Sequence, residues 1–193
     1  MVSSNYQALL LETYKECNTH LRDQVTQRNA IQSFYIALLV AFITLNNIIG
    51  QNNLWLFSIL YLVGILCLAM CIRLRKWHLR YLICCQVINY IFTCDREINK
   101  HRELCKAVGE AYKSFQSKPS FKSFIVSAGN INSLCFVAVT AAPLIMVFYL
   151  LKVLLWVIIP GTLFYIILCG FIIYLNSNTN RTKPDWILNF VLN

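Results

Sequence analysis

Charge is what this sequence has least of. Only 13% of its 193 residues are Asp, Glu, Lys or Arg, where a soluble domain carries about 25%. Acid is scarcest: 8 Asp and Glu stand against 17 Lys and Arg, a formal net charge of +9. With 58% hydrophobic residues, and with these in long blocks rather than short amphipathic periods, the expected solvent is lipid. The familiar signatures of catalysis are missing too. There is no phosphate loop, dinucleotide fingerprint or nucleophile elbow, so neither an enzyme nor a cofactor is expected. The first 30 residues are polar, with Glu12, Lys15, Glu16, Arg22, Asp23 and Arg28. That pattern is not a cleavable leader, and the first apolar segment is expected to serve as an uncleaved anchor.

The nine cysteines (Cys17, Cys67, Cys71, Cys84, Cys85, Cys94, Cys105, Cys135 and Cys169) follow no framework spacing. Free thiols in a reduced compartment are expected, not a disulfide scaffold. Cys94, His101 and Cys105 have spacings compatible with one helical face, with His78, Cys84 and Cys85 as further donors. The spacing matches no zinc module, so no metal is expected.

Four segments meet the ~20 apolar residues that a helix needs to cross a ~30 Å hydrocarbon core. They run from about Ile31 to Gly50, Leu54 to Ile72, Ile131 to Leu151 and Val153 to Leu175. None has an ionised side chain in its interior, so a proton path or carrier built on an intramembrane carboxylate is not indicated. Asn46 and Asn47 near one end of the first span, and Asn130, Asn132 and Ser133 near one end of the third, read as groups that hydrogen-bond between helices. A pore lined by them on assembly is the alternative. Pro143 and Pro160 lie within the third and fourth spans and are expected to kink them.

The basic residues fix the expected topology. Sixteen of the seventeen fall in residues 1–30, 73–123 and 176–193; Lys152, between the third and fourth spans, is the exception. By the positive-inside rule the sixteen are cytoplasmic. The fold class expected is all-α: a polytopic membrane protein with four transmembrane helices in two tight hairpins, cytoplasmic helical extensions and both termini cytoplasmic. The second hairpin turns at Leu151-Lys152-Val153. Arg73, Arg75, Lys76, Trp77 and Arg80 are expected at one membrane interface, and Lys152 at the other. The central loop mixes signs, with Asp95, Glu97, Glu103 and Glu110 among its bases. That pattern suits a solvated face and anionic lipid better than direct nucleic-acid binding.

The arm up to residue 30 carries one apolar stripe, Leu10, Tyr14, Cys17, Leu21 and Val25. No breaker separates it from the first span. The second helix of the same chain, or a neighbouring subunit or protein, is expected to cover it. A matching stripe of Trp77, Tyr81, Cys84/Cys85, Ile88 and Phe92 follows the second span, in a helix that has no stop before Lys118-Pro119-Ser120. In the tail, Trp186, Ile187, Phe190 and Val191 can share a face that lies in the interface or docks on a partner. The partner or oligomer contacts expected are therefore Leu10, Tyr14, Cys17, Leu21, Tyr81, Ile88, Phe92, Trp186 and Phe190.

Two resemblances follow. Leu11-Glu12-x-Tyr14-Lys15, then Gln27-Arg28-Asn29 running into Phe34-Tyr35-x-x-Leu38, resembles the start of small bacterial membrane proteins of the RipA-type oligomeric family. So does Arg73-x-Arg75-Lys76-Trp77-x-x-Arg80-Tyr81 followed by Ile88. After Lys118 the chain departs from that pattern. In length, span number and inside-weighted soluble mass, the architecture is similar to the membrane subunits of Kiwa anti-phage systems. That resemblance implies a sensor and scaffold in the bacterial inner membrane, forming a homo-oligomer, with a tetramer favoured. It further implies a KwaB-like cytoplasmic effector held beneath the membrane. A pore-forming or membrane-perturbing effector is the alternative.

Overall fold

The computed structural model describes residues 4–49, 54–93, 100–115 and 128–177, and these fold into five helices with connecting turns. They are α1 (Ser4–Ile49), α2 (Leu54–Thr93), α3 (His101–Phe115), α4 (Ala128–Leu150) and α5 (Leu155–Ser177). The protein is all-helical, and α1, α2, α4 and α5 are each long and apolar enough to cross a membrane.

α1 runs unbroken for 46 residues, because no Gly or Pro lies between its polar and apolar stretches. Its polar side chains fold back on the helix. Thr13 donates to the Leu9 carbonyl at 2.8 Å and Thr44 to that of Val40 at 2.9 Å. Ser58 in α2 and Thr162 in α5 do the same. A hydroxyl satisfied in this way can sit on an apolar helix.

α2 is described as far as Thr93, and Lys100 is a bend outside any helix, which corrects the expectation of one helix running on to Lys118. A separate helix begins at His101, with a reason visible in its backbone. The N–H groups of Glu103 and Leu104 donate to the Lys100 carbonyl, which marks Lys100 as the N-cap. The Lys100 N–H donates to Glu103 Oε2 at 3.1 Å. That is the returning half of a capping box. Glu103 in the first turn and Lys113 in the last also suit the helix dipole.

α4 ends in a Schellman motif. The Val153 N–H donates to the Phe148 carbonyl at 3.1 Å and the Lys152 N–H to that of Tyr149 at 3.0 Å. Lys152 stands at the left-handed C′ position, with φ 54°. The break covers residues 151–154, and α4 and α5 lie against each other. Pro143 and Pro160 both sit inside helices.

The chain divides into two compact units, with cuts at 25/26, 74/75 and 120/121 and again after Ser177. Each cut falls beside a change from charged to apolar sequence. Among described residues, the second unit holds three charged side chains, Arg28, Arg73 and Lys152, and no acid. Its core takes Tyr35 from α1, Leu60, Cys67, Leu68 and Cys71 from α2, Phe136 and Val137 from α4, and Cys169 and Ile173 from α5. Tyr35 is fully buried, meets Phe136 edge-on at 5.7 Å and donates to the Leu60 carbonyl at 3.4 Å. Polar groups pair inside this unit: Asn132 Nδ2 donates to Gln32 Oε1 at 3.2 Å, and the Thr140 and Tyr165 hydroxyls are 2.8 Å apart. The outside is apolar. All but Leu11, Leu82, Tyr90 and Phe92 of the exposed large hydrophobic side chains belong to this unit. An apolar exterior with polar groups turned inward suits lipid, where a polar group facing hydrocarbon costs several kcal/mol.

Candidate functional site

The first unit carries most of the charge and builds its own core. Leu10 and Cys17 of α1 meet Ile83, Cys84, Cys85, Val87, Ile88 and Ile91 of α2, and Leu104, Val108, Ala111 and Tyr112 of α3. Leu10, Cys17, Ile88, Leu104 and Val108 are all fully buried. Tyr14, Leu21 and Tyr81 are partly buried against this cluster. So α2 and α3 of the same chain cover the stripe on α1. Leu10, Cys17 and Ile88 therefore act as core residues, and the surface available to a partner lies elsewhere.

Three thiols meet at the centre of this core. Cys17 is within hydrogen-bonding reach of both Cys84 and Cys85. That thiol contact, with burial, pushes the Cys85 thiol well above its usual range. The Cys17 thiol is raised as well, first by its hydrogen bond with Cys84 and then by burial. Both stay protonated at neutral pH and are poor nucleophiles. No described group of three or more His, Cys, Asp or Glu side chains is placed to hold a metal. The Cys94–His101–Cys105 arrangement includes Cys94, which is outside the described residues.

An aromatic and basic column flanks the thiols. The His20 and Tyr81 rings stack at 4.7 Å, Tyr81 and Trp77 at 6.2 Å, and the Arg80 guanidinium carbon is 4.8 Å from the Trp77 ring centre. Such a cation–π contact is worth about 0.5–1 kcal/mol on a surface. Burial raises the Tyr81 hydroxyl, helped by nearby Cys17, Glu16 and Cys84. Lys76 is exposed, and Trp77 and Arg80 are half-buried. Arg75, expected with them at the membrane interface, is only 7% exposed. It lies two residues beyond Arg73, about 200° around the helix, so it points away from the face that Arg73 presents.

Among the described residues, this unit also leaves an uncharged face of α2 open. Leu82, Gln86, Asn89 and Thr93 are exposed at helical spacing, with exposed Tyr90 and Phe92 on their flanks. From Tyr81 to Thr93 there is no charged residue. A solvated helix face is ordinarily charged, whereas the cores of protein interfaces are depleted in charge and enriched in aromatics. Of the expected contacts, Phe92 lies on this face; Trp186 and Phe190 are outside the described residues. The sequence reading has residues 101–115 helical but not as a separate helix, nor Leu104, Val108, Ala111 and Tyr112 as part of the core. It also missed Leu82 and Tyr90, which were hidden by assigning the exposed side of the helix to solvent. Lys152 is exposed at the turn between α4 and α5. No family model, curated protein or solved structure matches this chain.

Proposed function

We propose that this protein is a non-enzymatic membrane scaffold that assembles with itself and holds a protein partner on its charged side. The second unit spans the bilayer as two hairpins, and the first unit stands in the cytoplasm with both termini. The reading rests on one observation above the others: the uncharged, aromatic-flanked face of α2 at Leu82, Gln86, Asn89, Tyr90 and Phe92, in a unit otherwise rich in charge. The resemblance to Kiwa membrane subunits extends this reading. The protein then senses phage attack at a bacterial inner membrane, as a homo-oligomer holding a KwaB-like effector.

The pore alternative is less favoured, because two of the polar pairs that could line a channel are closed within the chain: Gln32 Oε1 with Asn132, and Thr140 with Tyr165. The test is co-purification of the full chain in mild detergent, with mass measured by light scattering. An oligomer and a stoichiometric soluble partner are expected. Asn89→Lys with Phe92→Glu is expected to strip one or both and to leave the helical content unchanged. A monomer that captures nothing, or contacts indifferent to these substitutions, would refute the scaffold. Dye leakage from vesicles holding the purified chain would favour the pore.

A further inference from the structure

The turn between α4 and α5 does more than reverse the chain. Apolar side chains from three helix ends, among them Leu54, Tyr149, Leu150 and Ile158, wall a groove of about 740 Å3 beside Lys152. That volume falls within the ~300–1,000 Å3 of small-ligand sites. Its lining side chains are apolar apart from Lys152 and the Tyr149 hydroxyl, with polar backbone of the turn beside them, in a unit with no described acid. Lys152 also occupies a left-handed backbone position, φ 54°, where glycine is usual and any side chain adds strain. The groove opens onto lipid-compatible surface, since Leu154 is 72% exposed, Leu155 70% and Trp156 87%.

We propose that this groove holds one anionic phospholipid, with its phosphate on the Lys152 ammonium and an acyl chain along the apolar walls. Charge complementarity selects the phosphate. The exposed apolar side chains of Leu154, Leu155 and Trp156 beside it select a lipid over a free anion, because an acyl chain leaving the groove can run along them into the bilayer. A net-neutral headgroup brings its own ammonium near Lys152 and is disfavoured. The proposal rests on the bilayer-spanning reading of the second unit, but not on which side the turn faces, since both leaflets carry phosphate.

The test is native mass spectrometry of the full chain, released from detergent containing phosphatidylglycerol or phosphatidylcholine. One phosphatidylglycerol per chain is expected to survive conditions that strip phosphatidylcholine. Lys152→Gly removes the ammonium while relaxing the backbone, so misfolding does not explain a loss. It is expected to weaken retention about tenfold, the scale of one charge-assisted contact. Lys152→Arg is expected to keep it, and excess inorganic phosphate to leave the lipid in place. Equal retention by Lys152→Gly, displacement by inorganic phosphate, or a protein segment in the groove would overturn the proposal. Failure of the spanning reading gives a different signal: alkaline carbonate would release the wild-type chain from membranes.

Discussion

At the scale of single residues, the spans are held by close fits that composition does not announce. A Cβ built on Gly64 would lie 2.6 Å from the Tyr35 hydroxyl oxygen and 2.8 Å from its ring. Gly64 therefore lets a buried tyrosine reach across and donate to the Leu60 carbonyl. The apolar run from Leu54 to Ile72 is legible as a span, but nothing in it says which glycine takes a ring. Lys152 is similar: its charge is legible, but its left-handed backbone depends on where the Schellman motif closes. Gly64→Ala is expected to destabilise the second unit by about 1–3 kcal/mol through overpacking. The loss should appear as a lower thermal midpoint in detergent. Adding Tyr35→Phe removes the nearest atom and is expected to restore part of the loss, a coupling read by the double-mutant cycle. Independent effects of the two changes would show that the ring moves aside freely.

At the scale of elements, the sequence is clear about long helices and silent about what covers them. The continuity of α1 follows from the absence of a breaker, and the four long apolar segments follow from length alone. α3 is harder to see, because its start is set by a capping interaction between Lys100 and Glu103 rather than by Gly or Pro. Its effect is large, since Leu104 and Val108 close the core over Cys17, Cys84 and Cys85. Leu104→Ala is expected to cost about 2–5 kcal/mol. Even 2 kcal/mol raises the open population of the cluster roughly thirtyfold. The readout is maleimide labelling at neutral pH, located by peptide mapping. The three core thiols should label slowly in the wild type and faster in the variant, while half-exposed Cys105 changes little. Alkali acts in the same direction. Folding raises the Cys17 and Cys85 thiols above their usual value of 9.0, so the folded state holds protons that the unfolded state has lost. The stability from these thiols is complete below about 9 and declines as pH rises beyond it. Equal labelling of the wild type and Leu104→Ala would mean that α3 does not guard the cluster.

At the scale of the whole molecule, two properties of the chain point the same way. Hydropathy and charge divide the sequence at nearly the same places where its contacts divide the fold. One unit has apolar surface and three described charges; the other has a closed apolar core and most of the described charge. Sidedness is the next step, and it rests on the basic residues alone: sixteen lie in the segments flanking the spans and one, Lys152, lies between α4 and α5. Moving that asymmetry across a bilayer is what the positive-inside rule forbids. An impermeant maleimide distinguishes the two orientations. Leu151→Cys, at a site 53% exposed beside Lys152, is expected to label in sealed spheroplasts. Cys105, in the charged unit, is expected to label only after lysis. The reverse order, Cys105 first and Leu151→Cys only after lysis, would place the charged unit outside. It would also remove the cytoplasmic partner from the proposed function while leaving the lipid groove intact, because that groove needs only a leaflet beside it.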